Sequence, residues 1–159
     1  MPITKKFDYL GSTFQQQLLN QIILDKDFSR SIIDVIETDY FDNKYFKIII
    51  QMIREYYLKY EHVPNFETLE QLTKSEIKQE LASKIIIDTI NKIKGVSIEG
   101  SEFVQEKAMK FCKQQELQKV MVKAQKIIDD GEFENYDTLE RLVREALLVG
   151  EREDNMSDV

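Results

Sequence analysis

Apolar residues recur along the chain three and four positions apart, which is the spacing of amphipathic α-helices. Capping residues and breakers set the expected bounds of each helix. The pattern predicts helices over residues 13–24, from 27 to about 37–39, from 43 to just before Pro64, briefly after Asn65, from Thr73 to Ile93, over 102–130 and from Asp137 to Leu147. Asp42 is the expected cap of the third helix. No strand is predicted.

The expected fold class is all-α, with a compact helical bundle followed by a projecting antiparallel helical hairpin. The stretch from Gly95 to Gly100 is the best internal boundary, since two glycines interrupt the helical pattern there. We therefore expect an N-terminal tail over 1–12, a bundle over 13–100, a hairpin over 101–150 and the start of a disordered linker over 151–159.

The helix over 102–130 carries two apolar stripes that point in nearly opposite directions. Val104, Ala108, Phe111 and Cys112 form the first stripe. Two helices that pack only on each other leave the flanks of such stripes exposed to water. The second stripe on this helix and the apolar stripe on the last helix therefore predict self-association. The residues expected to carry it are Leu117, Val120, Met121, Ala124, Ile127, Ile128, Leu139, Leu142, Val143, Ala146 and Leu147.

Amino-acid composition and charge further restrict the fold class and the cellular setting expected for the chain. The chain has 159 residues and a formal charge of −7, and its five glycines and two prolines are too few for the turns of a sandwich or barrel. The charge is uneven: residues 104–126 hold six Lys against two Glu, or +4, whereas 127–159 hold three Arg against eleven acids, or −8. A single cysteine, the absence of an apolar signal segment and the lack of any membrane-length apolar stretch predict a reducing, cytosolic setting without a membrane.

A search for chemistry finds no catalytic, cofactor-binding or metal-binding constellation. His62 is the only histidine, no glycine-rich phosphate loop is present, and 129–134 lacks the ligand alternation of a calcium loop. Cys112 lies on an apolar stripe, which favours a buried, inert thiol. The sequence therefore predicts a module that is not an enzyme.

Two features raise the possibility of nucleic-acid binding. Seven aromatic residues lie between Tyr40 and Tyr60 with lysines and Arg54 among them, and Lys119, Lys123 and Lys126 share one helix face. Most of the rings fall on the isoleucine stripe, which favours packing in the core. An acidic chain also repels a phosphate backbone, so weak binding is expected.

The order of several short motifs resembles the N-terminal domain of DnaB-family replicative helicases, particularly those of large tailed bacteriophages. The residues that carry the resemblance are Gln17, Leu24-Asp25, Asp39-Tyr40-Phe41 followed by 45–49, Val63-Pro64, Thr68-Leu69, the segment 103–108 and the segment 136–140. The similarity covers about residues 13–149. It departs from the family at Gln105, where the family has Arg, and in stopping before a RecA-like motor.

The resemblance implies an assembly and docking role in DNA replication. In that family the domain dimerises through its hairpins, forms a collar of three dimers above a hexameric motor and docks a DnaG-like primase and sometimes a helicase loader. ATP, Mg²⁺ and most DNA contacts would belong to a C-terminal motor, and the setting would be the bacterial host cytoplasm if the chain is phage-encoded. The alternative is a free-standing phage replication accessory or loader adaptor that binds single-stranded DNA directly.

Overall fold

The computed structural model describes residues 11–149, and this part of the chain is entirely helical, as predicted. The expected N-terminal tail, up to residue 10, and the expected linker lie outside the described residues. The seven α-helices are α1 (Gly11–Leu24), α2 (Lys26–Ile32), α3 (Lys44–Tyr60), α4 (Phe66–Glu76), α5 (Glu80–Lys94), α6 (Ser101–Asp130) and α7 (Tyr136–Leu147). Short 3-10 turns lie at Thr38–Tyr40 and Phe133–Asn135.

The described part of the chain divides into two compact units, one over residues 11–106 and the other over residues 107–149. The division falls inside α6. The first unit therefore contains α1 to α5 and the first turns of α6, and the second unit contains the rest of α6 together with α7.

The first unit builds its core from the predicted stripes. Leu18, Leu19 and Ile22 of α1 are completely buried, as are Ile49, Ile50 and Ile53 of α3. Helix α1 packs against α2 and α5, while α3, α4 and α5 contact one another. The hydrophobic periodicity thus identified the buried faces of α1 and of the first turns of α3, whereas in α5 Leu81 of the expected stripe is 63% exposed and the buried residues are Ile86, Ile90 and Ile93.

Helix α1 also buries polar side chains, and each of them has a partner. The Asn20 amide donates to the Ile93 carbonyl at 3.0 Å, near the end of α5. The Gln15 side chain makes two hydrogen bonds to Asp42, donating to its carboxylate at 3.1 Å and accepting from its backbone N–H at 3.0 Å. These bonds tie α1 to distant parts of the first unit.

Several expected helix bounds were wrong, for physical reasons that the structure supplies. Helix α2 ends at Ile32 instead of near residue 38, and the following turns let Ile33 and Ile36 be buried together with Ile32.

Two predicted caps were also wrong. Asn43, and not Asp42, caps α3 by accepting from the backbone N–H of Tyr45 at 2.7 Å, because Asp42 is occupied by Gln15. Thr73 lies inside α4, buried, with its hydroxyl donating to the Leu69 carbonyl, and Gln79 caps α5 instead.

Candidate assembly surface

The second half of α6 leads into α7 through a tight turn. Gly131 has a positive φ of 68°, and the backbone N–H groups of Gly131 and Glu132 donate to the carbonyls of Ile128 and Ile127. This pair of bonds is the Schellman arrangement, which ends a helix with a glycine in the left-handed region. A 3-10 turn follows, and α7 begins at Tyr136. The sequence Asp-Asp-Gly is therefore a helix stop, as predicted.

The predicted self-association stripe on α6 is covered along one edge only. Val120 is buried at 4% exposure, and Leu117, Ala124 and Ile127 are half-buried. Met121 is 41% exposed and Ile128 58%. At about 100° per residue, Met121 and Ile128 lie seven positions apart on the same side of the helix, so they form an uncovered edge beside the covered one.

Helix α7 also has a covered edge and an uncovered edge. Ala146 is buried and Leu139 and Leu142 are half-buried, which places these three residues on a covered edge. Val143 and Leu147 are exposed on the neighbouring edge. Tyr136 is exposed on the same side, seven positions before Val143. It was missing from the predicted set, although its spacing from Val143 was a signal that could have found it.

The term uncovered edges is used below for Met121 and Ile128 on α6 and Tyr136, Val143 and Leu147 on α7. Single exposed apolar residues are ordinary on protein surfaces, but aligned ones with a common helical spacing mark an interaction surface. The covered edges are occupied within the chain. Only the uncovered edges are therefore available to another molecule.

Charged side chains lie beside the apolar stripes. Residues 107–126 carry six Lys and one Glu, or +5, and residues 127–149 carry two Arg and seven acids, or −5. Ion pairs join Lys119 to Glu116 at 3.6 Å and Arg144 to Glu140 at 2.6 Å. Each is a pairing along one helix and is worth little when exposed.

The predicted lysine row lies on the side of α6 away from its uncovered edge. At about 100° per residue, Lys119, Lys123 and Lys126 fall roughly opposite Met121 and Ile128. The residues that flank the uncovered edge are Gln118 and Gln125, and Gln125 donates to Asp129 at 2.9 Å. The immediate border of this edge is thus polar but uncharged.

Asp25, which belongs to a motif of the family resemblance, contacts Gln105, the position at which the sequence departs from that family. Gln105 donates to the Asp25 carboxylate at 3.0 Å and to the Gln21 side-chain oxygen at 2.7 Å. Asp25 also caps α2 by accepting from the Phe28 N–H at 3.0 Å. The Phe28 N–H first, and the Gln105 amide second, lower the pKa of Asp25 below its ordinary value. These bonds fix the start of α6 to the end of α1.

The aromatic residues from Tyr40 to Tyr60 divide between the core and the surface. Phe46 of the predicted stripe is buried, as are Tyr40 and Phe41 before α3, but Tyr60, predicted on the same stripe, is 49% exposed. Tyr60 is exposed, with its ring centroid 4.5 Å from that of Tyr56 and the Lys59 ammonium 5.3 Å from it. His62 is also exposed and lies edge-on to Tyr56.

Within the described residues, the remaining candidates for metal binding or catalysis lie apart from one another. Among residues 11–149 no cluster of three or more His, Cys, Asp or Glu side chains is arranged to hold a metal ion. Cys112 is buried. No helix in this range combines the length and the apolar character needed to cross a membrane. The chain matches no protein-family model, no curated protein and no solved structure.

Proposed function

We propose that this chain is a non-catalytic assembly and docking module, the N-terminal domain of a hexameric replicative DNA helicase of the DnaB type. In this proposal α6 and α7 form a helical hairpin that pairs with a second copy, and three such dimers make the collar of the hexamer. Primase, and in some systems a loader, dock on that collar. The ATP- and Mg²⁺-dependent motor would lie C-terminal to residues 1–159, in the cytoplasm of a bacterial host.

The observation that carries the proposal is the pair of uncovered edges. Met121 and Ile128 on α6, and Val143 and Leu147 on α7, are exposed apolar residues next to a covered stripe. Burying such a surface is favourable by roughly 25 cal/mol per Å². A second copy supplies the same surface through a two-fold axis, which is the commonest symmetry of soluble oligomers.

The order of the motifs supports the helicase part of the proposal. It extends over about residues 13–149, and the all-helical fold agrees with the all-α domain that it implies. Because each motif is short, their common order carries more weight than any single one.

Two measurements test the proposal directly: the genomic sequence after Val159 and the association state of the purified chain. We expect the genomic reading frame to continue past Val159 into a RecA-like domain with a phosphate-binding loop, and we expect purified 1–159 to self-associate in sedimentation equilibrium. The chain alone should turn over no ATP. A frame that ends without a motor domain, or a chain that stays monomeric at high micromolar concentration, contradicts the proposal.

A single-stranded DNA adaptor is the second candidate, because Lys59 and the exposed ring of Tyr60 lie together at the end of α3. An aromatic face beside a cation can stack a base. Fluorescence polarisation with a labelled oligonucleotide distinguishes the two. Sub-micromolar binding at physiological salt that Tyr60→Ala removes would favour the adaptor.

A further inference from the structure

A groove of about 570 Å³ lies between α4 and α5 in the first unit. Lys74 of α4 lies on one wall, and Ser83, Lys84 and Ile87 of α5 form the other. Ile77 and Lys78, in the connection between the two helices, close one end. This volume is within the range of ordinary ligand sites, and the groove is built entirely from the first unit.

The floor of the groove is apolar. Ile77 and Ile87 are both half-buried, so each presents part of its side chain to the groove. Ile77 also lines a neighbouring cavity of about 340 Å³, whose other apolar residues are Ile48 and Met52 of α3. The two cavities thus share one apolar strip that crosses from α5 to α3.

The charges on the rim favour an anionic occupant. Lys78 and Lys84 are exposed, and within residues 11–149 the structure records no ion pair for either. Lys74 lies 3.8 Å from Glu70. The remaining acid, Glu80, is in the first turn of α5, where the helix dipole stabilises a carboxylate. The groove is thus lined by three Lys and two Glu, or +1, although the whole chain carries −7.

The neighbouring cavity is lined by one Lys and two Glu, or −1. Lys47 lies there with Glu55 and Glu76, and Glu55 accepts a hydrogen bond from Gln51 at 2.8 Å. This cavity extends the apolar strip without adding a net positive charge. The cationic end of the strip is the part beside Lys78 and Lys84.

We propose that this groove docks an acidic, amphipathic helical segment of another protein. Aliphatic side chains of the segment, spaced three or four residues apart, would lie on Ile77 and Ile87. Its Asp or Glu side chains would meet Lys78 and Lys84. A nucleic acid fits less well, because the floor has aliphatic side chains and no aromatic ring to stack a base.

The test begins with selection of a random peptide library on the full chain, followed by synthesis of the recovered peptides. We expect acid-rich sequences with aliphatic residues at helical spacing. By fluorescence polarisation, the double variant Lys78→Glu/Lys84→Glu should raise their Kd by about tenfold or more, since two attractions become repulsions. Lys92→Glu, on the same helix but outside the groove, is the matched control and should leave the Kd within about twofold.

Two further variants isolate the mechanism. Ile87→Ala should weaken binding by removing part of the apolar floor, and Ile128→Asp, in the second unit, should leave it unchanged. The second result separates this inference from the proposed assembly function. Circular dichroism melts check that each variant is folded. Recovery of basic peptides, equal affinity for the double variant and the control, or binding that depends on Ile128 would overturn the proposal.

Discussion

Ile128→Asp is the most informative single change, because Ile128 is the most exposed residue of the self-association stripe on α6. Burying a whole isoleucine contributes about 1.5–3 kcal/mol. Ile128 is 58% exposed in the single chain, so covering this exposed part yields about 0.9–1.7 kcal/mol per copy and about 1.7–3.5 kcal/mol for a two-fold pair. Loss of that alone would raise the dimer Kd by about 20–400-fold. A buried, unpaired carboxylate adds several kcal/mol more.

The folded monomer should tolerate the change. Surface substitutions usually alter stability by less than about 0.5 kcal/mol. Val120 is a poorer choice although it belongs to the same stripe, since it is 4% exposed and a charge there would unfold the chain itself. Val122→Asp is the matched control: Val122 is 67% exposed on the same helix, about 120° away from Ile128.

Sedimentation equilibrium measures the association, and circular dichroism measures the fold. We expect a wild-type dimer, a monomeric Ile128→Asp variant with an unchanged melting curve, and a Val122→Asp variant that still dimerises. Equal loss of association in both variants would show that any added charge on α6 prevents pairing. In that case the reasoning from the uncovered edge is wrong.

Three further predictions concern stability, pH and salt. Asn20→Ala should lower the free energy of unfolding in urea by about 1–3 kcal/mol, because it removes the buried hydrogen bond to the Ile93 carbonyl and leaves the buried Gln21 amide N–H without its acceptor; an unchanged midpoint would contradict this. Folding lowers the pKa of the Asp25 carboxyl from its ordinary 3.8. The ionised carboxylate therefore stabilises the fold above that pH, and this contribution is lost progressively as the pH falls below about 4. In urea melts, Asp25→Asn should reduce the dependence of the free energy of unfolding on pH in this acidic range. The dimer Kd should change only a few-fold between low and physiological salt, since Gln118 and Gln125 border the α6 edge; a steep salt dependence in sedimentation would implicate the lysine row instead.

The helical class and most core faces could be predicted from the sequence because they depend on periodicity. The stripe of Phe46, Ile49, Ile50 and Ile53 in α3 is buried as expected. The sequence pattern gave a wrong helix cap where a side chain had more than one possible hydrogen-bond partner. Asp42 is a good cap by residue type, but its bonds to Gln15 come from a helix far away in sequence. Local patterns contain no information about such a competitor.

The candidate assembly surface was predictable only in part, for a related reason. The sequence identifies every apolar position on α6 and α7, yet it treats Val120 and Ile128 alike. The structure separates them, because Val120 is buried within the chain and Ile128 is exposed. Which edge of a wide apolar stripe is covered depends on the neighbouring chain segments. The covered edge is therefore set by tertiary packing, which leaves no periodic signal in the sequence.

The spacing of the exposed apolar residues on α6 and α7 favours assembly as the role of the second unit. The first unit also exposes apolar side chains, Leu58 at 80% and Leu81 at 63%, so exposure alone does not distinguish the two units. On α6 and α7 the exposed residues Met121 and Ile128, and Tyr136 and Val143, repeat at seven positions. Seven residues make nearly two helical turns, so each pair forms a ridge that runs almost straight along its helix. Straight ridges on successive helices are what a second helix pair needs to pack alongside, whereas scattered exposed residues would offer it no continuous contact.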